Sequence, residues 1–352
     1  MRFFIIALII GSLVSCSVKP KLFKKELVLA HHWDSGMIGN NMPGLSGVYK
    51  DMIYIWGETA DTFSMRFFKA DGMLTKTLTF KKGKGPGQIL FAFSGGIYDD
   101  TIYILDQGMK RISYYDLNGS YIDEVQLNDA TSSDLSSFIV IGDKIYIHGS
   151  YMTLLAILDR ADGHLIKKID FPEKVDFEQK EIPIQGGTFS YDPQQKMLLI
   201  GYYNKPFRLE RYDLDLKKID TVTITENDSY EPCRWQKIPQ GGMAIVGHYM
   251  IPSIDLGSDY IYIPSPHGVK WGEHGHEPIP SKNFINVFNR KTYKPTGSLI
   301  DPIFETVPGG YHILGVIDGM VVTSLWDATP LEKVVGKKIE QTGMYILVLK
   351  VK

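Results

Sequence analysis

The chain has 352 residues and a formal net charge of −2 at pH 7, so no strong electrostatic case exists for binding nucleic acid. Only two cysteines occur, which excludes a disulfide framework and leaves the stability of the fold to a hydrophobic core. Aromatic residues make up 12% of the chain and 34 glycines accompany them. This composition is typical of many short strands joined by glycine-containing turns.

The first residues have the pattern of a secretory signal peptide. Arg2 supplies a positive charge, and Phe3 to Leu13 is an apolar run of about eleven residues, too short to span a bilayer. The segment that ends in Cys16, Leu-Val-Ser-Cys, resembles the lipobox of bacterial lipoproteins, which implies cleavage before Cys16 and lipidation of its thiol and new amino group. An ordinary secretory peptide with an incidental cysteine is the alternative. The expected parts of the chain are a signal peptide at 1–15, a lipid-anchored tether at 16–25 and a folded domain at 26–352.

The tether indicates where the protein resides. A lipidated cysteine carries more than one acyl chain, and two or more chains anchor stably where one does not. The lysines that follow indicate a solvated tether near lipid headgroups; they are Lys19, Lys21, Lys24 and Lys25. Ser17 indicates the outer membrane, by analogy with sorting rules in some bacteria. We therefore expect a cell-envelope protein that faces the periplasm or the cell surface.

The rest of the chain repeats one pattern of short strands and tight turns. In its clearest copy, the strand Asp100–Asp106 is followed by a second strand, Arg111–Tyr115, and the turn Asp116–Gly119 leads into a third strand, Tyr121–Leu127. Two runs of β-branched and aromatic residues joined through Asn-Gly predict a hairpin. With the short run Gly95–Tyr98 in front, the unit has four strands and a length near 50 residues, which is typical of a β-propeller blade.

Six copies of this unit are predicted. The strands are Gly44–Val48, Met52–Trp56, Met65–Phe68 and Leu74–Phe80 in repeat one; those above in repeat two; Phe138–Val140, Lys144–Ile147, Leu154–Leu158 and Leu165–Phe171 in repeat three; Thr188–Tyr191, Met197–Ile200, Phe207–Tyr212 and Lys217–Ile224 in repeat four; Met250–Ile254, Tyr260–Ile263, Phe284–Phe288 and Gly297–Ile300 in repeat five; and His312–Val316, Met320–Thr323 and Met344–Val351 in repeat six.

Repeat six lacks an outermost strand, and the segment Lys25–Ala30 is predicted to supply it and close the ring. The only candidate helix is a turn or two within Leu331–Ile339. The expected fold is all-β: a six-bladed β-propeller with four-stranded antiparallel blades. A β-sandwich or two stacked all-β domains is the alternative, although sandwiches rarely repeat the same Asp-Gly or Asn-Gly turn so many times.

Two motifs resemble known propeller proteins. Asp106 to Tyr121 looks like an NHL-type repeat, in which an Asp-led turn precedes Arg-Ile, an aromatic residue, Asp and a glycine turn. Gly83 to Gln88, read Gly-Lys-Gly-Pro-Gly-Gln, resembles a signature between blades in extracytoplasmic six-bladed propeller lipoproteins of Gram-negative bacteria. Those families are loosely TolB-like and mostly of unknown function, and Gln88 stands where Glu is commoner. The resemblance implies fold and compartment more than chemistry.

The Gly83–Gln88 loop has two interpretations. Its exposed backbone N–H groups, with the charge of Lys84, can cradle an anion, which makes Lys84 and Gln88 candidate ligand-binding residues. The loop lacks the Gly-Lys-Ser/Thr ending of a phosphate loop. A turn between blades whose glycines adopt positive φ is therefore the favoured interpretation.

An insertion in repeat five, Pro264 to Pro278, is the most unusual stretch. Imidazole and carboxylate ligands suit zinc or another divalent metal, and the candidate ligands are Glu273, His274, His276 and Glu277. Trp271 is a candidate ligand-binding residue in the same loop. The spacing matches no defined zinc signature, so a polar surface loop is the favoured alternative.

The tryptophans and the second cysteine are weaker candidates for functional residues. A tryptophan at the channel mouth can stack on a sugar or peptide, although packing between blades is the commoner role; the candidates are Trp33, Trp56, Trp235, Trp271 and Trp326. Cys233 has no identified histidine partner and is predicted to be a buried or incidental thiol.

The expected function is a non-catalytic lipoprotein, held at a membrane, whose propeller binds a glycan, a peptide or an envelope protein. The alternative is a metal-dependent propeller hydrolase or lyase with its ion at the axial channel. The predicted innermost strands Gly95–Tyr98 and Phe138–Val140 are poor in the His and carboxylate residues that such an enzyme needs. A structural scaffold is the third interpretation. Clustered Trp and Tyr at the channel mouth favour a glycan or peptide binder, and clustered His and carboxylates favour the enzyme.

Overall fold

The three-dimensional description rests on a computed structural model. It describes residues 22–37, 45–127, 135–176, 178, 180–225, 229–239, 241–249, 253–272, 275–279, 284–301, 312–325 and 328–352. The predicted signal peptide at 1–15 and the predicted lipidation site Cys16 lie outside these residues. Within them, no helix has both the length and the apolar character that crossing a bilayer requires.

The described residues form 29 strands and one short helix. In chain order these are β1 (Phe23–Asp34), β2 (Gly47–Tyr49), β3 (Met52–Glu58), β4 (Thr62–Phe68), β5 (Leu74–Lys81), β6 (Ala92–Tyr98), β7 (Thr101–Asp106), β8 (Arg111–Asp116), β9 (Tyr121–Gln126), β10 (Leu135–Ile141), β11 (Lys144–Gly149), β12 (Thr153–Asp159), β13 (Leu165–Asp170), β14 (Glu181–Pro183), β15 (Gly187–Asp192), β16 (Met197–Tyr202), β17 (Phe207–Tyr212), β18 (Lys218–Thr225), β19 (Arg234–Lys237), β20 (Met243–Tyr249), β21 (Asp255–Leu256), β22 (Tyr260–Pro264), β23 (His267–Gly272), β24 (Gly275–Ile279), β25 (Phe284–Asn289), β26 (Pro295–Ile300), β27 (His312–Ile317), β28 (Met320–Leu325), α1 (Thr329–Val335) and β29 (Tyr345–Val351).

The strands form six four-stranded antiparallel blades, which confirms the predicted propeller. From the innermost strand outwards the blades are β2-β3-β4-β5, β6-β7-β8-β9, β10-β11-β12-β13, β15-β16-β17-β18, β21-β22-β25-β26 and β27-β28-β29-β1. The first strand of the chain therefore completes the last blade. Five strands remain outside the blades and form a separate sheet, which the sequence did not predict.

Hydrophobic clusters between the blades close the ring. Six clusters are present among the described residues, and each is shared by two consecutive blades. In the cluster that joins the last blade to the first, Ile53 and Ile55 of blade one pack with Val322 and Ile346 of blade six. Burying one such side chain contributes about 1.5–3 kcal/mol, so the interfaces between blades provide the core that no single blade has.

The burial of each strand explains its sequence. In β7 five consecutive residues are buried, because a neighbouring blade covers each face of that strand. Such a strand shows a continuous apolar run, here Ile-Tyr-Ile-Leu, rather than alternation. The outermost strand of the same blade, β9, is mostly exposed and carries charged residues. The position of a strand in its blade can therefore be inferred from its polarity.

Strand β1 confirms the predicted closure and extends it. Leu27 to Asp34 pair antiparallel with β29, so both chain ends share the sixth blade. The preceding residues, Phe23 to Glu26, pair in parallel with β26 of blade five. The side chain of Leu27 is fully buried between these blades. One strand therefore joins blades five and six into an eight-stranded sheet.

Three predictions in the later repeats were wrong in detail. The first strand of blade five is β21, which starts after the predicted Met250–Ile254; of that prediction, 250–252 lie outside the described residues. The helix begins at Thr329, with Pro330 in its first turn, and Gly336 in the left-handed conformation ends it before the predicted Ile339. The predicted loop Pro264–Pro278 contains β23 and β24.

Candidate functional site

The two sides of the ring differ in the length of their connections. Because the strands of a blade alternate in direction, the first-to-second and third-to-fourth connections fall on one side. We call this side the turn face; it consists of residues 50–51, 69–73, 99–100, 117–120, 142–143, 160–164, 193–196, 213–217, 257–259, 290–294 and 318–319. The connections that begin and end on the opposite side define the loop face. Their described residues are 35–37, 45–46, 59–61, 82–91, 107–110, 127, 150–152, 171–176, 178, 180–186, 203–206, 229–239, 241–249, 253–254, 265–272, 275–279, 301 and 328–344.

Three of the long connections on the loop face together build the separate five-stranded sheet. Its order is β14-β19-β20-β23-β24, and we call it the inserted sheet. Strand β14 precedes blade four, β19 and β20 lie between blades four and five, and β23 and β24 interrupt blade five. Ile182 pairs with Trp235, and Trp235 pairs in turn with Ile245. Paired residues lie on the same face of a sheet, so Trp235 and Ile245 project together.

A cavity of about 270 Å³ lies between the inserted sheet and the loop-face connections of blades three and four. We call it the aromatic cavity; its lining residues are Ser150, Tyr151, Ile184, Gly186, Tyr203, Trp235, Ile245 and Tyr249. Nε1 of Trp235 donates a hydrogen bond to Oη of Tyr151 at 3.1 Å, which fixes the indole ring at the wall. This volume is just below the roughly 300–1,000 Å³ that is typical of small-molecule sites.

The described lining of the aromatic cavity is uncharged. Its described lining contains no Asp, Glu, Lys, Arg or His. Burial raises the pKa of Tyr249 to about 12 and also raises the pKa of Tyr203, so both phenols stay protonated at neutral pH. The cavity therefore offers aromatic faces together with hydroxyl groups that donate and accept hydrogen bonds. Such a surface suits a ligand that is apolar on its faces and polar at its edges.

Three histidines lie near one another beyond Tyr249 of the cavity wall. The ring of Tyr249 contacts that of His267 edge to face, with centroids 4.3 Å apart. Burial, together with His312 and His248 nearby, lowers the pKa of His267 to about 4. Burial likewise lowers the pKa of His312 to about 4 and that of His248 below its usual value. All three imidazoles are therefore neutral at pH 7. In the described part of the chain, no group of three or more His, Cys, Asp or Glu could hold a metal ion.

The predicted loop Gly83–Gln88 is a turn between blades one and two. Its φ is 152° at Gly83 and 67° at Gly87, as the favoured interpretation predicted. A Cβ on Gly83 would lie 2.0 Å from Oε1 of Gln88, which itself accepts the N–H of Gly85 at 3.1 Å. The amide of Gln88 therefore holds its own loop together. Lys84 is exposed. Ligand binding by Lys84 and Gln88 stays a prediction.

Two buried side chains of blade two hold this loop against the ring. Asp106 accepts the N–H groups of Leu90 and Phe91 at 2.9 and 3.0 Å. Arg111 donates to the carbonyls of Gly85 and Gln88 at 3.0 and 2.7 Å. Both side chains are almost fully buried, at 0% and 3% exposure. The Asp and Arg of the NHL-like pattern thus attach a loop-face connection to the adjoining blade.

The candidate metal ligands lie at the end of the β23–β24 hairpin. Glu273 and His274 are outside the described residues. His276 lies in β24 opposite Trp271, and the next residue, Glu277, forms an ion pair with Lys270 at 3.1 Å. Metal binding by these residues and ligand binding by Trp271 stay predictions.

Some of the described tryptophans pack in the core and one lines the aromatic cavity, while Cys233 is buried. Trp56 is buried between blades one and two and stacks on Phe63 with centroids 5.6 Å apart. Trp33 packs on Phe68, Trp326 is outside the described residues, and Trp235 is the predicted platform that lines the aromatic cavity. The thiol of Cys233 is buried, as predicted, and burial raises its pKa to about 12. Sequence reasoning missed Tyr151, Tyr203 and Tyr249, because each belongs to a different segment.

Two solved structures from Bacteroides share this fold. A member of the DUF4221 family from Bacteroides vulgatus ATCC 8482 has a TM-score of 0.61 at 14% identity, over 93% of this chain and 98% of that one. A Bacteroides fragilis NCTC 9343 protein described as exported has a TM-score of 0.56 at 13% identity, over 94% and 99% of the two chains. No family profile and no curated protein matches the chain. At these identities the likeness establishes the fold, an all-β propeller.

Proposed function

We propose that this protein is a lipid-anchored binding protein of the cell envelope and that its aromatic cavity takes a neutral glycan. The single observation that carries the proposal is the cavity wall, on which Tyr151, Tyr203 and Trp235 lie together with Tyr249. The C–H faces of a sugar ring stack on aromatic rings, and its hydroxyls bond to polar groups at the edge of the site. The uncharged lining gives no counter-ion to an acidic or basic ligand.

The N-terminal pattern supports the location. A signal peptide at 1–15 with lipidation of Cys16 makes the mature protein a tethered domain outside the cytoplasm. The likeness to a protein described as exported supports the same side of the inner membrane. The pattern at Asp106–Tyr121 supports kinship with NHL-like propellers, and the motif at Gly83–Gln88 supports kinship with TolB-like propeller lipoproteins. Ser17 supports the outer membrane. Mass spectrometry of membrane-extracted protein tests the anchor, since an unmodified Cys16 would refute it.

A screen of immobilised glycans tests the ligand. The full-length protein is applied to neutral, acidic and amino sugars, and we expect it to retain neutral glycans. Trp235→Ala removes the stacking surface and should weaken retention tenfold or more, equivalent to about 1.4 kcal/mol. Trp271→Ala is the matched control, because Trp271 lies in the inserted sheet but not in the cavity lining; it should bind as the wild type does.

The outcomes of the screen separate the alternatives. Retention of no glycan, or retention that Trp271→Ala abolishes and Trp235→Ala leaves intact, would refute the proposal. A parallel peptide library tests the other ligand class. Retention of a peptide that depends on Trp235 would show that the aromatic cavity is the binding site and that its ligand is a peptide rather than a glycan. Chromatography of the glycan after incubation with the protein shows whether it is cleaved, which would favour the hydrolase or lyase.

A further inference from the structure

The direction of β1 shows on which side of the ring the tether emerges. Strand β26 starts after the turn 290–294 and therefore runs from the turn face towards the loop face. Because β1 is parallel to β26, with Phe23 beside Gly297, its first residue lies at the turn-face end. The C-terminus lies there too, since the N–H of Lys352 donates to the carbonyl of Glu26 at 2.9 Å. The two chain ends thus leave the propeller at the same side.

The tether is short. Seven peptide steps separate Cys16 from Phe23, and an extended chain spans at most about 3.4 Å per step, so roughly 24 Å is the upper limit. A lipid on Cys16 would therefore keep the turn-face end of β1 within about that distance of the headgroups. The aromatic cavity lies on the opposite side of the ring.

Exposed apolar side chains recur at this same end of the outermost strands. In blades one to four the first or second residue of the outermost strand is a large, exposed aliphatic residue, and Leu22 holds the corresponding place in front of β1. We call this set the apolar rim; its members are Leu22 (50% exposed), Leu74 (50%), Ile122 (54%), Ile166 (46%) and Ile219 (44%). Single exposed apolar residues are common, but one at the same strand end in five blades forms a repeated surface.

The lysines at the start of β1 favour contact with lipid headgroups. Lys24 and Lys25, beside the tether, are exposed, and cations are attracted to headgroup phosphates. Several aspartates of the turn face are occupied by N–H groups of their own turns, which partly satisfies their carboxylates. These are Asp71, Asp116, Asp162 and Asp213.

We propose that the turn face is the membrane-proximal side of the protein, with the apolar rim resting in the headgroup region of the anchoring leaflet and the aromatic cavity directed away from it. The inference rests on the proposed lipidation of Cys16. It deepens the proposed function, because a cavity on the far side of the ring is open to glycans from the surroundings rather than to the anchoring bilayer.

The experiment uses the full-length lipoprotein in phosphatidylcholine vesicles. Single cysteines carry an environment-sensitive fluorophore at the rim, in Ile122→Cys and Ile166→Cys, or on the loop face, in Lys338→Cys. The native Cys233 is buried and is protected from labelling. Spin-labelled lipids should quench the rim labels several-fold more than the loop-face label, and aqueous iodide should show the reverse order. Equal quenching at the two faces would overturn the orientation.

A variant of the apolar rim tests whether the rim contacts the lipid headgroups, in addition to which face of the propeller lies nearer the membrane. A label at Leu74→Cys should be quenched by the spin-labelled lipids, and Ile122→Glu, Ile166→Glu and Ile219→Glu together should reduce that quenching several-fold while the protein stays bound to the vesicles. Unchanged quenching would overturn the contact. Mass spectrometry of the same sample shows which proposal has failed. An unmodified Cys16 would refute both the lipid anchor and the orientation. A lipidated Cys16 with unquenched rim labels would refute the orientation alone.

Discussion

The turn face and the loop face differ in the length of their connections and in whether those connections form strands of their own. Connections on the turn face have two to five residues. Several are held within the turn, as where Asp116 accepts the N–H groups of Asn118 and Ser120, both at 2.8 Å, and others bond to a neighbouring turn, as where Nζ of Lys50 donates to Oδ1 of Asp100 at 2.7 Å. On the loop face, connections extend to the span 226–254 and pair with segments more than 50 residues away, as where Ile182 meets Trp235. The repeated turns make the scaffold, and the irregular connections make the cavity.

The largest expected loss of stability comes from opening the closed ring of blades. Deletion of residues 25–30 removes part of the pairing of β1 with β29 and β26, together with the buried side chain of Leu27. We expect the free energy of unfolding to fall by roughly 5 kcal/mol or more, measured by thermal and urea unfolding. The control is Lys24→Ala with Lys25→Ala, which alters only exposed side chains. An unchanged melting curve for the deletion would reject closure by β1.

A pair of aspartates compares the two faces directly. Asp106→Ala removes the carboxylate that holds Leu90 and Phe91 and leaves the buried Arg111 with less compensation. We expect a loss of about 3 kcal/mol in urea unfolding. The matched Asp116→Ala on the turn face removes exposed local hydrogen bonds and should cost about 1 kcal/mol. Equal losses would show that Asp106 holds its loop no more tightly than Asp116 holds its turn.

How much the sequence predicts also differs between the faces. The strands of blades one to four were predicted within about three residues, because each blade repeats its turns and its buried apolar runs. The inserted sheet was not predicted: β19 has four residues, Arg-Trp-Gln-Lys, and its partners are set by tertiary packing rather than by a local turn. The cavity residues Tyr151, Tyr203 and Trp235 meet only because three distant connections converge.

Asp255 gives a pH-dependent test on the innermost strand of blade five. Its Oδ2 is buried without a hydrogen-bond partner, and burial raises the pKa of Asp255 to about 7. The folded state therefore binds more protons than the unfolded state between pH 4 and 7, so this group's contribution to stability is lost as the pH rises through that window. Asp255→Asn should raise the free energy of unfolding by about 2 kcal/mol at pH 8.

The same substitution should give little gain at pH 4, where the carboxyl group is protonated in the folded state and only about half ionised in the unfolded state. Thermal unfolding of wild type and Asp255→Asn at the two pH values provides the comparison. A gain of equal size at both values would show that the ionisation of Asp255 is not the cause.

The smallest expected loss of stability concerns the loop that contains the candidate residues Lys84 and Gln88. Gln88→Ala removes one hydrogen bond to the N–H of Gly85, while Arg111 still holds the loop carbonyls. We expect a loss of about 1 kcal/mol or less in urea unfolding. Calorimetric titration of inorganic phosphate into wild type and Lys84→Ala tests the anion interpretation of the same loop. Heat that depends on Lys84 would establish a ligand site there, separate from the aromatic cavity.

The most direct test of the central claim is a crystal structure of the protein with a glycan selected by the array. The account predicts a sugar ring stacked on Trp235 within the wall formed by Tyr151, Tyr203 and Tyr249, with its hydroxyls bonded to the phenol groups. A glycan bound at the turn face, at the Gly83–Gln88 loop or at the tip of the β23–β24 hairpin, with the aromatic cavity unoccupied, would contradict it.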